Sequence, residues 1–481
     1  MSNSKVISNF IWRFAERCGA QAVQFIVSIV LARLLMPEVY GTIALITVIT
    51  TILNVFVDSG MGTALIQKKD ADSVDFSTVF YFNMFVCIIL YVGLFICSPW
   101  IAYFYKDATL TPVIRVLGLT IVISGVKNIQ QAYVSKTMQF KRFFFSTLGG
   151  TIGAAIIGIW MAYKGFGVWA LVAQQIFNAM VDTLILWITV KWRPKKEFSF
   201  ERLKGLFSYG WKLLASSLLD TVYNNIRQLI IGRMYTPSDL AFYNRGKQFP
   251  DLIITNINTS IDSVLLPTMS QEQENKERVK IMTRRAIKTS TYIMAPLMMG
   301  LAFCAIPVIR LILTEKWLSC VPFMQIFCIT SMFYPVHTAN LNAIKAMGRS
   351  DAYLKLEIIK KVIGMALLLS TMWFGVMAMA YSLLVSSVLS QIINSWPNRK
   401  LLNYGYLEQL KDILPGIILA VVMGICVYPV QWIGLSDIIT LCIQVPLGMI
   451  IYIIGSKIFK LESFEYILDM IKPYILKILH K

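Results

Sequence analysis

Apolar runs of about 20 residues recur from one end of this chain to the other, and they constrain the fold more than any other feature. Two of them are "AQAVQFIVSIVLARLL" (20–35) and "LVAQQIFNAMVDTLILWITV" (171–190). A helix of this length crosses the hydrocarbon core of a bilayer with every backbone hydrogen bond satisfied. Because long alternating strands separated by turns are missing, the pattern predicts an all-α polytopic membrane protein.

The composition agrees with this class. Of 481 residues, 57% are hydrophobic and only 15% are charged, whereas about a quarter of the residues in a soluble domain are charged. The apolar runs predict about 14 transmembrane helices, and this even number places both termini on one side. The predicted helices cover residues 12–35, 41–66, 76–98, 112–135, 143–162, 166–190, 205–233, 238–268, 286–313, 322–344, 354–373, 377–396, 411–430 and 436–456.

The basic residues predict which side the termini face. Cytoplasmic loops of membrane proteins are enriched in lysine and arginine, and the richest loops here are "KWRPKKEFSFERLK" and "ENKERVKIMTRRAIK". If both termini are cytosolic, the outer loops carry only Arg33, Lys106, Lys164, Arg233 and Lys316. The net charge of +19 therefore marks a cytosolic face next to anionic lipids, and it does not indicate a nucleic-acid partner.

The two ends of the chain give further expectations. Glu16 and Arg17 interrupt the start of the first apolar run, and no A-x-A-like site follows, so a cleaved signal peptide is not predicted. The last segment, "KIFKLESFEYILDMIKPYILKILHK" (457–481), alternates apolar and basic residues at helical spacing. This pattern predicts an interfacial helix along the cytosolic surface.

Neither a metal centre nor an enzyme active site is expected. The eight cysteines lie mostly within apolar runs without a C-x-x-C motif, which predicts small buried hydrophobic residues. His337 and His480 are the only histidines, so a histidine metal site is not expected. The sequence contains neither a nucleophile–base constellation nor a glycine loop for phosphates, and its predicted outer loops are short. No cofactor is therefore predicted.

The chain repeats itself, which is a common feature of transporters. "ARLLMPEVYG" from Ala32 and "GRMYTPSDLA" from Gly232 share R-x3-P, 200 positions apart. "VDSGMGTALIQ" from Val57 resembles "IDSVLLPTMSQ" from Ile261. These matches predict two parallel six-helix lobes, at residues 1–198 and 199–400. Residues 401–456 would then form two additional helices, 13 and 14, and residues 457–481 the cytosolic tail.

A polar stripe marks the eighth predicted helix, "FYNRGKQFPDLIITNINTSIDSVLLP" (242–267). Six polar residues are spaced four and three apart, which places them on one helical face. They are Asn244, Gln248, Asp251, Thr255, Asn258 and Asp262. The second predicted helix has a similar stripe 204 positions earlier, formed by Thr47, Thr51, Asn54 and Asp58.

The two stripes have two possible interpretations. A carboxylate facing lipid costs about 2.5 kcal/mol or more, so each stripe must face protein or water. Polar residues of this kind also join membrane helices by hydrogen bonds. Because the stripe occurs in both halves, the sequence favours a water-filled vestibule between two lobes.

Basic residues inside the predicted spans point to an anionic substrate. Paired phosphates suit several cations in one cavity. The candidate substrate-binding residues are Arg17, Gln24, Lys127, Asn224, Arg227, Arg245, Lys247, Asp251 and Asn258. Two simpler roles remain open: Arg17 could be an interfacial anchor, and Arg227 could neutralise Asp220.

Three motifs resemble a known family. They are "FVDSGMGTALIQKKDADSVDFSTVFYFN" from Phe56, "FYNRGKQFPD" with "SIDSVLLPTMSQEQ" from Phe242, and "GFGVWALVAQQI" from Gly165. Through these motifs, most of residues 5–400 resemble the bacterial lipopolysaccharide and capsule flippases (Wzx and WzxC-like) of the multidrug/oligosaccharidyl-lipid/polysaccharide exporter superfamily. The sequence departs from the family at "NNIRQLIIGR", because Arg227 stands where relatives often carry an acid.

The resemblance implies a fold, a substrate and a location. Two six-helix lobes would surround a central cavity and work by alternating access in the bacterial cytoplasmic membrane. The substrate would be an oligosaccharide on undecaprenyl diphosphate, moved from the inner to the outer leaflet, with its prenyl tail in lipid or against helices 13 and 14. Arg227, Lys127 and Arg17 would contact the diphosphate. Partners would include membrane lipids and possible polysaccharide polymerase and chain-length machinery.

Coupling has two interpretations. Asp58 and Asp262 are paired by the repeat and lie near the inner ends of their helices. They could bind a proton or a sodium ion, or they could close a cytosolic gate through salt bridges to Arg13 or Arg17. The sequence supports the gate at least as well as the coupling site.

Two other functions compete with the flippase. An ion-coupled multidrug or cation antiporter of the same fold needs carboxylates in its cavity, and here bases match or outnumber them. A polysaccharide polymerase or ligase needs a catalytic outer loop, which the short predicted loops do not provide. The sequence therefore favours a transporter for surface polysaccharide over an enzyme.

Overall fold

The structure is a computed structural model that describes residues 3–58 and 60–479. Its side-chain description omits residues 3–11, 13–17, 209, 260, 470–471 and 473–479. The helices are α1 Asn3–Leu34, α2 Pro37–Asp58, α3 Met61–Gln67, α4 Ser73–Tyr105, α5 Leu110–Leu117, α6 Leu119–Lys136, α7 Lys141–Tyr163, α8 Val168–Thr189, α9 Phe200–Met234, α10 Pro237–Gln271, α11 Lys276–Phe303, α12 Ala305–Leu313, α13 Val321–Met332, α14 Tyr334–Ala346, α15 Ser350–Thr371, α16 Val376–Leu401, α17 Tyr406–Val427, α18 Asp437–Ile458 and α19 Glu462–Leu479. Short 3-10 helices cover Glu315–Cys320 and Tyr428–Ile433.

These helices occupy every predicted apolar run, either singly or as consecutive pieces. Within the described residues, nine helical runs are long and apolar enough to cross a membrane, and α11 with α12, bent by 68°, would make a tenth. The runs that fall short include α9, α10 and α15, and the first two carry the polar residues noted above. The protein is thus a multi-pass all-α membrane protein, while the number of 14 spans remains a prediction.

Local sequence determines where several helices begin. Asp72 caps α4 by accepting hydrogen bonds from the backbone N–H groups of Val74 and Asp75, both at 3.0 Å. The guanidinium of Arg202 binds the same carboxylate, and this bond, together with the capping bonds, lowers the pKa of Asp72 to about 2. The pairing ties the loop before α4 to the start of α9.

One repeated start motif escaped the sequence analysis. The last helix of each predicted half begins within the same sequence motif, FGV-x-A, at residues 166–170 and 374–378. Gly167 and Gly375 have φ angles of 56° and 99° there. Positive φ angles favour glycine, which explains why the turn has that residue in both places.

Small residues allow α7 and α8 to pack closely. Gly150, Ala154 and Gly158 follow each other at intervals of four on α7. A Cβ atom at Gly150 would lie 2.8 Å from the side-chain oxygen of Asn178, and one at Gly158 would lie 3.0 Å from Cβ of Gln174. Such small-residue faces are a usual basis of helix association in membranes, where burial of apolar surface supplies no driving force.

The chain divides into two compact units, Met1–Ala241 and Phe242–Lys481. In the first unit, Ile46, Ile114, Leu117 and Ile121 are fully buried in one apolar cluster. In the second unit, the buried cluster of Val279, Ile287, Val336, Ala339 and Tyr404 joins α11, α14 and the start of α17. α9 packs on α2, α3 and α4 within the first unit. The predicted lobe boundaries at 198, 400 and 456 remain predictions.

The expectation that the cysteines are buried is correct for only half of them. Cys87, Cys304, Cys320 and Cys328 are buried, whereas Cys18, Cys97, Cys426 and Cys442 are exposed on the protein surface. The latter four cysteines lie in apolar helices. A cysteine is itself hydrophobic, so it fits such a helix even where it does not contact another helix.

The tightest backbone approach of the first unit gives a stability prediction. A Cβ atom at Gly41 on α2 would lie 1.8 Å from the carbonyl oxygen of Pro237, so the Gly41→Ala substitution forces α2 away from that backbone. We expect a loss of about 1–3 kcal/mol, measured by thermal unfolding in detergent. Gly93→Ala on α4 is the matched control, because nothing lies within 4 Å of its added Cβ. Equal unfolding temperatures for the two variants would contradict the prediction.

Candidate functional site

Lys127 lies in the middle of α6, and its charge is paired within the protein. Its Nζ lies 3.0 Å from Oδ2 of Asp182 on α8, and the two side chains are 21% and 13% exposed. The Nε1–H group of Trp187 donates to the carbonyl of Val126 at 3.2 Å and so ties the same two helices together. The other carboxylate oxygen of Asp182, Oδ1, is buried without a hydrogen-bond partner among the described residues. The pair is therefore partly desolvated, and Asp182 retains capacity for another donor.

Gln24 borders a cavity of about 210 Å³ in the first unit, whose lining combines polar and apolar side chains. Four helices contribute carboxamide or hydroxyl groups: α1 provides Gln24 and Ser28, α2 provides Tyr40, α7 provides Thr151, and α8 provides Gln174, Gln175 and Asn178. Hydroxyl and carboxamide groups both donate and accept hydrogen bonds, as sugar hydroxyls require. The cavity is large enough for several waters but smaller than a usual ligand pocket.

The stripe on α2 ends in a hydrogen bond between helices. Nδ2 of Asn128 on α6 donates to Oδ1 of Asp58 at 2.6 Å and to the carbonyl of Val57 at 3.3 Å. One turn earlier, Oδ1 of Asn54 is buried without a partner among the described residues. The C-terminal end of this stripe therefore faces α6.

The stripe on α10 ends in the same way. The hydroxyl of Thr338 donates to Oδ1 of Asn258 at 2.6 Å, and Nδ2 of Asn342 donates to Oδ1 of Asp262 at 2.8 Å. Both donors lie on α14. In each unit an asparagine of the fourth predicted span thus binds the aspartate near the end of the second span of that half. Hydrogen bonding between helices accounts for this part of both stripes.

The N-terminal half of α10 contains three other candidates. The guanidinium of Arg245 lies 5.3 Å from the ring centroid of the fully buried Trp317, and it also bonds to Gln248. Lys247 lies 3.8 Å from Asp251 one turn later, with both side chains nearly half exposed. Arg245 is thus a buried cation held against an aromatic ring, whereas Lys247 and Asp251 form a weak exposed pair.

α9 contributes two candidates of different character. Arg227 is buried, with 8% exposure, whereas Asn224 is exposed. A largely buried guanidinium in a membrane protein must be compensated by nearby polar groups or by a ligand. Arg17, together with Arg13 of the predicted gate, lies outside the residues whose side chains are described.

The sequence analysis missed the partners of these groups. Asp182, Asn128, Thr338 and Asn342 complete the contacts of Lys127, Asp58, Asn258 and Asp262. One signal was available: Gln174, Asn178 and Asp182 occur at intervals of four within the apolar span "LVAQQIFNAMVDTLILWITV". That spacing places all three on one face of α8.

The family follows from comparison with known proteins. The family described as "Polysaccharide biosynthesis protein" matches residues 30–322, which is more than half of the chain. The chain belongs to this family.

Curated relatives cover most of the chain. The teichuronic acid biosynthesis protein TuaB of Bacillus subtilis (strain 168) is 24% identical over 79% of this chain and 80% of its own length. The succinoglycan biosynthesis transport protein ExoT of Rhizobium meliloti (strain 1021) is 22% identical over 75% and 73%. The lipopolysaccharide biosynthesis protein WzxC of Escherichia coli (strain K12) is 22% identical over 81% and 79%.

Solved structures confirm the type of fold. The lipid II flippase MurJ in an inward closed conformation superposes with a TM-score of 0.74 at 15% identity, over 94% of this chain and 98% of its own. An inward-facing multidrug resistance MATE transporter gives 0.62 at 14% identity, over 80% and 94%. At these identities the structures show the fold alone, and the family membership rests on the match over residues 30–322.

The pair between Lys127 and Asp182 gives the next prediction. We expect Lys127→Met to cost about 3–5 kcal/mol, because it leaves the Asp182 carboxylate unpaired inside the membrane. The double variant Lys127→Met/Asp182→Leu should regain most of this stability in thermal unfolding. Lys247→Met is the control, since its exposed pair with Asp251 should be worth less than about 1 kcal/mol. A Lys127→Met protein as stable as this control would show that the pair does not contribute.

Proposed function

We propose that this protein is a flippase for a lipid-linked oligosaccharide, moving it from the inner to the outer leaflet by alternating access. Membership of the polysaccharide biosynthesis family is the observation that carries the proposal. The chain also has the fold of the lipid II flippase, which agrees with it. Lipid II is itself a lipid-linked sugar, which is the class of substrate that we propose for this protein.

The substrate of this proposal is an oligosaccharide on undecaprenyl diphosphate. The relatives are named for teichuronic acid, succinoglycan and lipopolysaccharide, which are different polymers. Such pathways can share the lipid carrier even though their sugars differ. We therefore expect a site for the diphosphate to be the part of the protein that these relatives have in common. The product would be O-antigen, capsule or exopolysaccharide.

Arg227 is the strongest candidate for the diphosphate contact. Its burial in α9 holds a permanent charge inside the protein, and a guanidinium binds phosphate oxygens in bidentate geometry. At Lys127, the diphosphate would have to compete with Asp182 for the ammonium group. The roles of Arg17, Asn224, Arg245, Lys247, Asp251 and Asn258 remain predictions.

The alternatives receive less support. The likeness to a drug antiporter concerns the fold, whereas the matched family is one of polysaccharide biosynthesis. We propose a transporter and not an enzyme, with both termini cytosolic in the bacterial cytoplasmic membrane. A polysaccharide polymerase and chain-length machinery remain proposed partners.

Transport measured in proteoliposomes tests the function and the site together. A labelled undecaprenyl-diphosphate oligosaccharide should cross the bilayer with the wild-type protein. We expect Arg227→Gln to slow this movement at least tenfold, because a hydrogen bond to a charged group contributes about 1.5–3 kcal/mol. Arg227→Lys should restore part of the rate.

The control for Arg227 is Arg349→Gln, which removes a charge from an exposed pair with Asp351 at the start of α15. Normal movement by Arg227→Gln would exclude this diphosphate site but keep the function. Absence of movement by a folded wild-type protein, with matched sugars, would overturn the proposed function.

We propose that Asp58 and Asp262 help to close a cytosolic gate and do not bind a coupling ion. Both carboxylates already accept a hydrogen bond from an asparagine. Asp262→Asn keeps an acceptor oxygen and removes the charge. The transport rate of this variant should stay within about twofold of the wild-type rate and should not depend on proton or sodium gradients. Asp262→Leu removes the acceptor as well and should impair transport. Gradient-driven transport that Asp262→Asn abolishes would establish the coupling role instead.

A further inference from the structure

The second unit contains a cavity beside α17, which is the predicted helix 13 against which the prenyl tail could also lie. It has a volume of about 740 Å³ and lies among α11, α17 and the turn between α18 and α19. This volume is within the usual range for ligand pockets. Charged groups line one end and apolar side chains line the wall, in the pattern that an amphiphilic ligand requires.

An ion-pair cluster forms the base of the charged end. Arg284 on α11 makes two hydrogen bonds to Asp412 on α17, both of 2.8 Å. Lys288 lies 3.6 Å from Asp412 and also pairs with Glu462 at the start of α19. Asp412 also accepts a hydrogen bond of 2.8 Å from the hydroxyl of Tyr404. These two cations are therefore neutralised by the protein.

Two further cations at the charged end are not neutralised. Lys411 in the first turns of α17 and Lys460 just after α18 both line the cavity and are exposed. Among the described residues, neither ammonium group has a hydrogen-bonding or ion-pair partner. Two cations next to an already compensated cluster leave an excess of positive charge, which favours an anion.

The wall of the cavity continues along one face of α17. Leu414, Ile418 and Val422 follow Lys411 at intervals of three or four residues, and they are 42%, 53% and 45% exposed. From Lys411 to Val422 the helix rises about 16 Å. This apolar face lies within the membrane span Tyr406–Ile433, so a hydrocarbon chain can lie against it while its head group remains at Lys411.

We propose that this cavity binds an anionic phospholipid from the leaflet on the side of the chain termini, which we predict to be cytosolic. The phosphate would lie between Lys411 and Lys460, and an acyl chain would follow Leu414, Ile418 and Val422. Basic pockets between membrane helices on the cytosolic side bind anionic head groups. The lipid would join α17 to the turn that precedes α19, whose first residue, Glu462, is already bound to Lys288.

Native mass spectrometry of the full-length protein tests this proposal without any transport. The protein is mixed in detergent with phosphatidylglycerol or with phosphatidylcholine, and the bound lipid is counted. The wild type should retain phosphatidylglycerol preferentially. Lys411→Gln/Lys460→Gln should bind it at least about tenfold more weakly, because each lysine near an anionic surface contributes a measurable share of the attraction.

Two comparisons isolate the site. Lys276→Gln/Lys355→Gln removes two exposed lysines outside the cavity and should leave retention unchanged. Val422→Trp fills the apolar wall without altering charge and should also weaken binding. Thermal unfolding of each variant confirms that it is folded.

Three results would overturn the proposal. They are equal retention of the two lipids by the wild type, unchanged retention by Lys411→Gln/Lys460→Gln, and displacement by undecaprenyl phosphate but not by added phosphatidylglycerol. The last result would assign the cavity to the lipid carrier of the substrate. Because binding is measured without movement across a bilayer, a failed flippase assay would leave this result unaffected.

Discussion

The structure depends on one constraint: a polar side chain inside the hydrocarbon region must find its partner within the protein. An unpaired carboxylate there costs about 2.5 kcal/mol or more, which is a substantial fraction of the roughly 5–15 kcal/mol that stabilises a folded protein. Lys127 and Asp182 meet between α6 and α8 for this reason, and Asn342 meets Asp262 between α14 and α10. Each of these contacts specifies which helices are neighbours and in which rotation.

The same constraint organises the interior of the second unit. Asn340, Asn398 and Gln409 are fully buried on α14, α16 and α17. The carboxamides of Asn340 and Gln409 exchange hydrogen bonds of 2.8 and 2.9 Å, and Asn398 donates to Asn340 at 2.6 Å. Three apolar helices could slide along one another, since lipid contacts them as well as they contact each other. Directional amide bonds remove that freedom and hold the start of α17 in place.

Besides joining helices, polar groups inside this protein are proposed to bind the substrate. Sugar hydroxyls suit carboxamides such as Gln24 and Gln174 around the small cavity of the first unit, and a diphosphate suits a buried guanidinium such as Arg227. Lys127 belongs to both categories, because its charge holds two helices together and could be shared with an anion. Lys411 and Lys460 differ again, since both are exposed and line the larger cavity of the second unit.

The periodicity of apolar residues was sufficient to locate every long helix, because the bilayer leaves only a small set of possible structures for such runs. The spacing of polar residues on α2 and α10 also revealed that Asp58 and Asp262 occupy corresponding places. The sequence by itself therefore determined the class of fold, the helices and the presence of internal similarity. Only the tertiary structure decided what the stripes face: Asn128, Thr338 and Asn342 come from helices that are 70 to 80 residues distant in sequence. A helical pattern shows which residues share a face, but the partner of that face depends on packing between helices that no local spacing records.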